Sequence, residues 1–229
     1  MKRRKTIHLS EGDHARISAA VAAAEGTSAG EIVTIIADRS DGYADVALAW
    51  AAFFALTAVT ALAVFPDFYL GLYDRLFGDW GSEWTHRGVL SFAATAAILK
   101  FIGTLLIQLW QPLKFWLIPR PIKAARVRAR AETLFKVGAE RRTTGRTGVL
   151  IYLSRCERRA EIVADSAIAA KVSPEVWGAA MAAMLSEIRA GRLADGMIAA
   201  IDQVGAVIAQ HFPRQADDVN ELPDRLIEV

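Results

Sequence analysis

Val46–Phe65 reads VALAWAAFFALTAVTALAVF, twenty residues without a charge, bracketed by Asp45 and Asp67. At about 1.5 Å per residue, a helix of this length spans the roughly 30 Å hydrocarbon core of a bilayer. The run starts too late in the chain, and is too long, for the apolar region of a secretory signal. A second apolar stretch, Gly88–Trp110 (GVLSFAATAAILKFIGTLLIQLW), carries one charge, Lys100. A central Lys costs about 2.5–3.5 kcal/mol on insertion scales, and each Leu, Ile or Phe returns roughly 0.3 to 0.6 kcal/mol. The second span is therefore credible despite Lys100. That intramembrane charge either snorkels or faces a neighbouring helix, or else serves as a charge partner on a polar path.

The flanks set an orientation. The connecting loop, residues 66–87, has Arg75 and Arg87 against Asp67, Asp74, Asp79 and Glu83. Behind the second span come Lys114, Arg120, Lys123, Arg126, Arg128 and Arg130. Positive charge near span ends marks the cytoplasmic side. The expectation is a multi-pass protein of the cell (inner) membrane, both termini cytoplasmic and loop 66–87 outside. The basic opening Lys2-Arg3-Arg4-Lys5 agrees, but lies far from the first span. Phe68, Tyr69, Tyr73, Phe77, Trp80 and Trp84 make the loop an interfacial segment, helical over Phe68–Phe77.

Composition supports this division. The apolar share of 53% and mean hydropathy of +0.26 are high for a soluble globule, and the excess sits between Val46 and Trp110. The single cysteine, Cys156, allows no intrachain disulfide and fits a reducing compartment. His8, His14, His86 and His211 lie too far apart to suggest a zinc site. A net charge of +2 hides an asymmetry: residues 114–159 carry 13 Lys/Arg against 3 Asp/Glu, and residues 160–229 carry 5 against 11. Because the basic block starts just behind a hydrophobic span, membrane topology explains it better than nucleic acid.

Around the hairpin lie two halves of one polar domain. Ser10-Glu11-Gly12-Asp13 opens a helix whose Ala15, Ile17, Val21 and Ala24 fall mostly on one face, ending at Gly26. Glu31–Ala37 (EIVTIIA) reads as a buried strand. Behind the hairpin, a basic helix from Pro121 to about Arg142 offers Val127, Leu134, Phe135 and Val137 for burial, and Thr143–Gly148 breaks it. Val149–Leu153 and Arg159–Ala164 form an antiparallel pair across Ser154–Arg158. Ser173-Pro174 starts a helix to about Arg189, and another runs over Leu193–His211. The tail from Phe212 is polar and expected to be loosely held. The fold class is thus α/β: a small mixed sheet covered by helices, interrupted by a two-helix transmembrane hairpin. Residues 1–45 supply the first part of the cytoplasmic domain and 46–110 the hairpin, with spans at 46–65 and 88–110. Residues 111–229 supply the juxtamembrane basic helix and the second part.

Signatures of catalysis are missing: no GxGxxG, P-loop, GxSxG or HExxH occurs. Ser154 follows a strand, but no histidine is placed to activate it. What remains is a polar rim of Glu31, Arg146, Arg155 and Asp165, with Arg158 beside it. Acids and arginines at the edge of a sheet suit a cation or a phosphate, or simply cap strands and pair on the surface. No cofactor is expected, with a divalent cation as the one inorganic alternative.

The order of several soft motifs adds a resemblance. Ala24-Glu25, Thr27-Ser28, Glu31-Ile32 and Arg39–Tyr43 precede the hairpin; Arg146–Tyr152, Glu161–Asp165, Val172–Trp177, Phe212-Pro213 and Asn220–Asp224 follow it. This series resembles the bacterial membrane branch of the TPM-domain proteins across nearly the whole chain. The resemblance implies an α/β sandwich. It also brings associations: photosystem repair, weak acid phosphatase activity and metal binding among thylakoid relatives, and auxiliary receptor subunits among animal ones. Glu31 and Asp165 align with that family's polar rim. This chain departs from the metal-binding members in its sparser acids and in the hairpin behind its first strand.

Two functions compete. One is a membrane-anchored, non-enzymatic interaction, assembly or quality-control module whose partners are the lipid bilayer and other membrane proteins, with no nucleic acid. The other is a low-turnover metal-dependent phosphatase at the membrane surface. A third, weaker idea makes the chain a subunit of a transport assembly, in which Lys100 would act. The oligomeric state is open.

Overall fold

A computed structural model describes residues 9–77, 84–138, 146–214, 222 and 224–229. Its elements are α1 (Glu11–Glu25), β1 (Glu31–Ala37), α2 (Ala44–Val64), α3 (Pro66–Phe77), α4 (His86–Ile107), α5 (Gln111–Leu117) and α6 (Arg120–Gly138). They continue with β2 (Gly148–Ser154), β3 (Arg159–Ala164), α7 (Ser166–Ala169), a 3-10 turn (Pro174–Val176), α8 (Trp177–Arg189), α9 (Leu193–His211) and β4 (Ile227–Glu228). The basic opening at 2–5, loop residues Asp79, Trp80 and Glu83, the helix stop at 143–145, and Asn220, Glu221 and Pro223 lie outside the described residues. The chain groups into two compact units, Met1–Asp41 with Arg120–Val229, and Gly42–Pro119.

The first unit is a mixed four-stranded sheet in the order β3-β2-β1-β4. β1 runs parallel to β2, from Glu31 opposite Gly148 to Ala37 opposite Ser154, and β3 returns antiparallel to β2. Both β1 and β2 are buried along their whole length, because helices cover both faces. Period-two alternation sorts their side chains. Ile32 and Ile36 join Val149, Ile151 and Leu153 against Ile17 and Val21 of α1, Met184 of α8, and Met197, Ile201, Val204 and Ile208 of α9. Val33, Ile35 and Ala37 join Leu150 and Tyr152 against Val127, Ala131 and Phe135 of α6. Burying side chains of this size contributes about 1.5–3 kcal/mol each relative to exposure. The α1 start forms as its sequence directs: Ser10 Oγ accepts from Asp13 N–H at 3.1 Å, and the Asp13 carboxylate accepts from Ser10 N–H at 3.3 Å.

The structure corrects four local expectations. Val137 is 75% exposed, and Ala15 also faces water. The helix from Ser173-Pro174 begins as a 3-10 turn before α8. The polar tail is not loose at its end. Ile227 and Glu228 pair in parallel with Ile35 and Ile36, and Leu222 and Leu226 are buried. Val229 N–H donates to Ile36 O, and Asp38 N–H to Val229 O, both at 3.0 Å. This strand closes one sheet edge that would otherwise leave β1 unpaired.

The second unit is an apolar helical hairpin, α2 packed on α4. Its foot is locked by polar groups: Gln108, 5% exposed, donates its amide to Ala47 O at 3.2 Å, and Lys114 Nζ donates to Gly42 O at 2.5 Å. Trp50 Nε1 donates to Leu117 O at 3.3 Å, and Tyr43 meets Phe115 edge-on at 5.7 Å. At the tip, Tyr73 of the amphipathic helix α3 packs on Trp84 and Phe92, while Trp84 Nε1 donates to Asp74 at 3.2 Å. Lys100 lies exposed on α4.

Among the described residues, three helices are long and apolar enough to cross a membrane by length and composition: α2, α4 and α9. Of their apolar windows, 17%, 0% and 44% respectively is buried. That difference separates them: α9 spends its hydrophobicity on the core of the first unit, whereas α2 and α4 leave Phe53, Leu56, Leu99 and Leu106 uncovered.

Candidate functional site

The direction of the strands decides which rim residues meet. β1 and β2 start, and β3 ends, at one end of the sheet, so Glu31, Arg146 and Asp165 lie there together. Arg155, in the β2–β3 turn, lies at the opposite end. The expected rim is therefore two separate sites.

Asp165 follows β3 directly and caps α7. Its Oδ1 accepts from Ser166 N–H at 2.5 Å and from Ser166 Oγ at 3.1 Å, and its own N–H donates to Gly148 O at 2.9 Å. The residue is 4% exposed, yet Oδ2 has no hydrogen-bond partner among the described residues. It lines a cleft of about 510 Å³ between the end of α6 and the end of β3, with Phe135 and Val163 as apolar wall. Lys136, Arg146, Glu132 and Ser166 supply the polar lining, and Glu132 is already paired with Arg128 at 2.9 Å. Arg146 has φ of 52°, a left-handed conformation that costs any residue other than Gly or Asn. Two cations and one unsatisfied buried carboxylate oxygen suit a small ligand carrying both an anionic group and a hydrogen-bond donor.

Glu31 belongs to a second, smaller cavity of about 70 Å³ at the same end, shared with Glu25, Ser28, Arg214 and Asp224. Glu31 is 7% exposed, and its Oε2 accepts from Leu222 N–H at 3.1 Å, which anchors the returning tail. Glu25 Oε1 accepts from Ile32 N–H at 2.7 Å. Burial above all pushes the Glu25 carboxyl up to about 8; the Ile32 N–H opposes this, and the neighbouring Glu31 and Asp224 add to it. Sequence reasoning missed Glu25 and Asp224, because one ends a helix and the other sits in a polar tail. Among the described residues no three His, Cys, Asp or Glu side chains are placed to share a metal ion. The acids around Glu31 do not fit a divalent cation as arranged: a backbone N–H occupies Glu31, and Arg214 shares their cavity.

At the opposite end, Arg155 pairs with Asp38 at 2.8 Å. Glu157, 6% exposed, accepts from Ser40 N–H at 2.9 Å and from Ser154 Oγ in a short hydrogen bond. Ser40 Oγ lies 3.0 Å from Tyr152 OH, a phenol held above its usual range chiefly by burial. Ser154 is thus a fully buried structural donor, and His14 is engaged elsewhere, 3.1 Å from Glu228.

Residues 117–207 match the model of a family described as the TPM domain. Among solved structures, the chain is similar to the BA42 protein of the psychrophilic bacterium Bizionia argentinensis, determined by NMR. The TM-score is 0.57 at 18% identity, with 100% of each chain covered. At that identity the likeness bears on the fold alone. No match was found among curated proteins. The matched segment runs from the foot of the hairpin through α6, β2, β3, α7 and α8 into α9, and so holds both the Asp165 cleft and Arg155. Residues 117–207 are thus similar to the TPM domain, and the α/β fold of the chain is of the same kind as that of BA42.

Proposed function

We propose that this protein is anchored in the cell (inner) membrane by α2 and α4, and that its TPM-type unit is a non-enzymatic interaction, assembly or quality-control module for other membrane proteins. The observation that carries the anchor is the uncovered apolar surface of two helices of 21 and 22 residues, with hydropathies of 2.1 and 1.9. Such a contiguous apolar surface has no place in water. In lipid it is the expected exterior of a span, with the α3 aromatics at headgroup level. The charge balance of the flanks supports cytoplasmic termini, with loop 66–87 outside. An adaptor role is supported by the first unit itself, where Ser154 and His14 are committed to structural bonds. Lys100, exposed on α4, is then a group for snorkelling or for contact with a partner span.

Alkaline carbonate extraction and a topology reporter at Gly71 test the anchor. A protein that washes off, or a reporter active only in the cytosol, refutes it. Affinity capture of the full chain from detergent extracts tests the adaptor role; repeated captures without an enriched membrane protein refute that.

One observation favours a second reading, a low-turnover phosphatase: the unpartnered Oδ2 of Asp165 shares its cleft with Arg146 and Lys136. Purified protein assayed on a generic phosphomonoester with and without divalent ions decides it. Turnover unchanged in Asp165→Ala would remove this site from consideration.

A further inference from the structure

Asp41 and Arg120 are the residues at which the first unit hands the chain to the hairpin and takes it back. Both belong to the sheet end that carries Arg155: Asp38 and Ser40 continue from β1, and Arg126 Nε reaches Asp41 at 3.2 Å. The β2–β3 turn docks here, with Arg155 N–H on Ala37 O at 3.0 Å and Cys156 N–H on Asp38 O at 2.9 Å. The first turn of α6 adds Arg120 and Lys123. Lys123 lies within electrostatic range of Glu157, Arg159, Arg120 and Arg158. Burial depresses its ammonium most; Glu157 opposes this, and the three guanidiniums add to the depression.

The local carboxylates are already used. Asp38 holds Arg155, Asp41 holds Arg126, and Glu157 is buried against Ser40 and Ser154. Glu161, further along β3, interacts first with Arg128 and then with Arg159. Among the described residues, Arg120, Lys123, Arg158 and Arg159 take no salt-bridge partner. Arg158 is moreover held at φ 53°, where glycine would fit without strain. A cation kept in a left-handed turn position, beside three others that make no salt bridge among the described residues, is a reason to look for an anion.

Topology explains Arg120 and Lys123 but not Arg158 and Arg159. Charges that orient a span lie within roughly 15–20 residues of it. Arg158 and Arg159 lie far beyond that along the chain; the hairpin of strands folds them back to the end where the apolar helices depart. We propose that this end of the α/β unit is a binding face for anionic phospholipid headgroups, with Arg120, Lys123, Arg158 and Arg159 contacting the phosphates. The proposal rests on the membrane anchor argued above. A membrane holding α2 and α4 would be a polyanion tethered close to these side chains, since α2 starts three residues after Asp41 and α5 ends three before Arg120. Guanidinium groups match phosphate with paired N–H donors, and a partly desolvated ammonium gains more from an anion than an exposed one does.

The test uses the full chain reconstituted in equimolar phosphatidylglycerol and phosphatidylcholine, then isolated in mild detergent with its retained lipid quantified. Wild type is expected to enrich phosphatidylglycerol. Arg158→Gly removes one cation while suiting the backbone, so it should lower enrichment about fivefold, the usual figure for one basic residue near an anionic surface. Its melting temperature should hold or rise. The triple variant Lys123→Gln/Arg158→Gly/Arg159→Gln should return to the input ratio. A control triple, Lys171→Gln/Arg189→Gln/Arg192→Gln, removes equal charge elsewhere and should retain the preference. No enrichment by wild type, enrichment kept in the first triple, or equal loss in the control each overturns the proposal. So does displacement of phosphatidylglycerol by a single-stranded RNA probe. Carbonate extraction run in parallel separates the two readings: a pelleted protein without lipid preference sinks the headgroup face alone, and a washed-off protein sinks the anchor too.

Discussion

Replacing Glu25 with glutamine isolates the most perturbed carboxyl outside the hairpin. Its folded pKa is about 8 against an ordinary 4.5, so the native state holds a proton that the unfolded chain releases. Between those values the folded protein binds more protons, and stability must fall as pH rises. The stabilisation is complete below about pH 4.5 and is gone once pH passes through about 8. At about 1.4 kcal/mol per pH unit the interval sets a ceiling near 5 kcal/mol. Glu25 is only partly buried and water screens its charge, so about 2 kcal/mol is the realistic loss. For a unit of this size that is a fall of roughly 4–8 °C in melting temperature. In the Glu25→Gln variant the amide oxygen still accepts the Ile32 N–H, and the side chain carries no charge to desolvate. The assay is thermal unfolding of the full chain in detergent from about pH 5 to about pH 9, wild type against Glu25→Gln. The difference between the two curves should grow with pH in favour of the variant, and taking the difference cancels what the two proteins share. A constant difference, or one favouring wild type at high pH, refutes the buried-acid reading of the Glu31 cavity.

Substitutions centred on Thr34, Gly205 and Glu157 probe packing by the same melts. Thr34 sits in β1 at 1% exposure with Oγ1 unpartnered among the described residues, so Thr34→Val should stabilise by about 1 kcal/mol, and a loss would mean the hydroxyl is satisfied. A Cβ on Gly205 would come within 2.7 Å of Ala24 Cβ where α9 crosses α1. Gly205→Ala should therefore lose about 1 kcal/mol despite its helix-propensity gain, and Ala24→Gly should restore it; a more stable single variant would contradict so close a crossing. Glu157→Ala strands Ser40 N–H and buried Ser154 Oγ and should cost about 2–3 kcal/mol, whereas Glu157→Gln should cost about half as much. Equal losses would place the cost in side-chain volume instead.

Much of this fold is legible in the order of residues because its strongest signals are local. β1 and β3 fall where β-branched runs stand between turn residues, α9 where its apolar face repeats, and the hairpin helices where charge vanishes. β4 is not legible: its pairing is only two residues long and joins positions nearly two hundred residues apart, so no local pattern marks it. α5 lacks the length for a period to show. The candidate site was half legible. Asp165 and Arg146 are recognisable as polar groups bordering apolar strands, but Glu25 and Asp224 approach Glu31 only through tertiary packing. Grouping Arg155 with Asp165 fails for a reason already present in the hairpin of strands. A residue in the β2–β3 turn and one at the exit of β3 are separated by a full strand, six residues or about 20 Å.

That separation has a consequence for function. α6 leaves the hairpin end and runs back along the sheet, so its first turn supplies Arg120 and Lys123 while its last supplies Phe135 and Lys136 to the Asp165 cleft. The domain thus presents two chemistries at opposite ends of one sheet: a cluster of cations at the end of the β2–β3 turn, and a mixed-charge cleft at the end of Asp165. Sites separated by this distance, with no shared side chains, contribute independently. Asp165→Asn should therefore alter what the cleft retains and leave phosphatidylglycerol enrichment unchanged. The Lys123→Gln/Arg158→Gly/Arg159→Gln triple should do the reverse, abolishing enrichment while the set of captured membrane proteins stays the same. If the lipid-face triple empties both assays while the protein still melts as wild type, the two ends are coupled. Partner binding would then depend on how the headgroups hold the domain, rather than on the cleft alone.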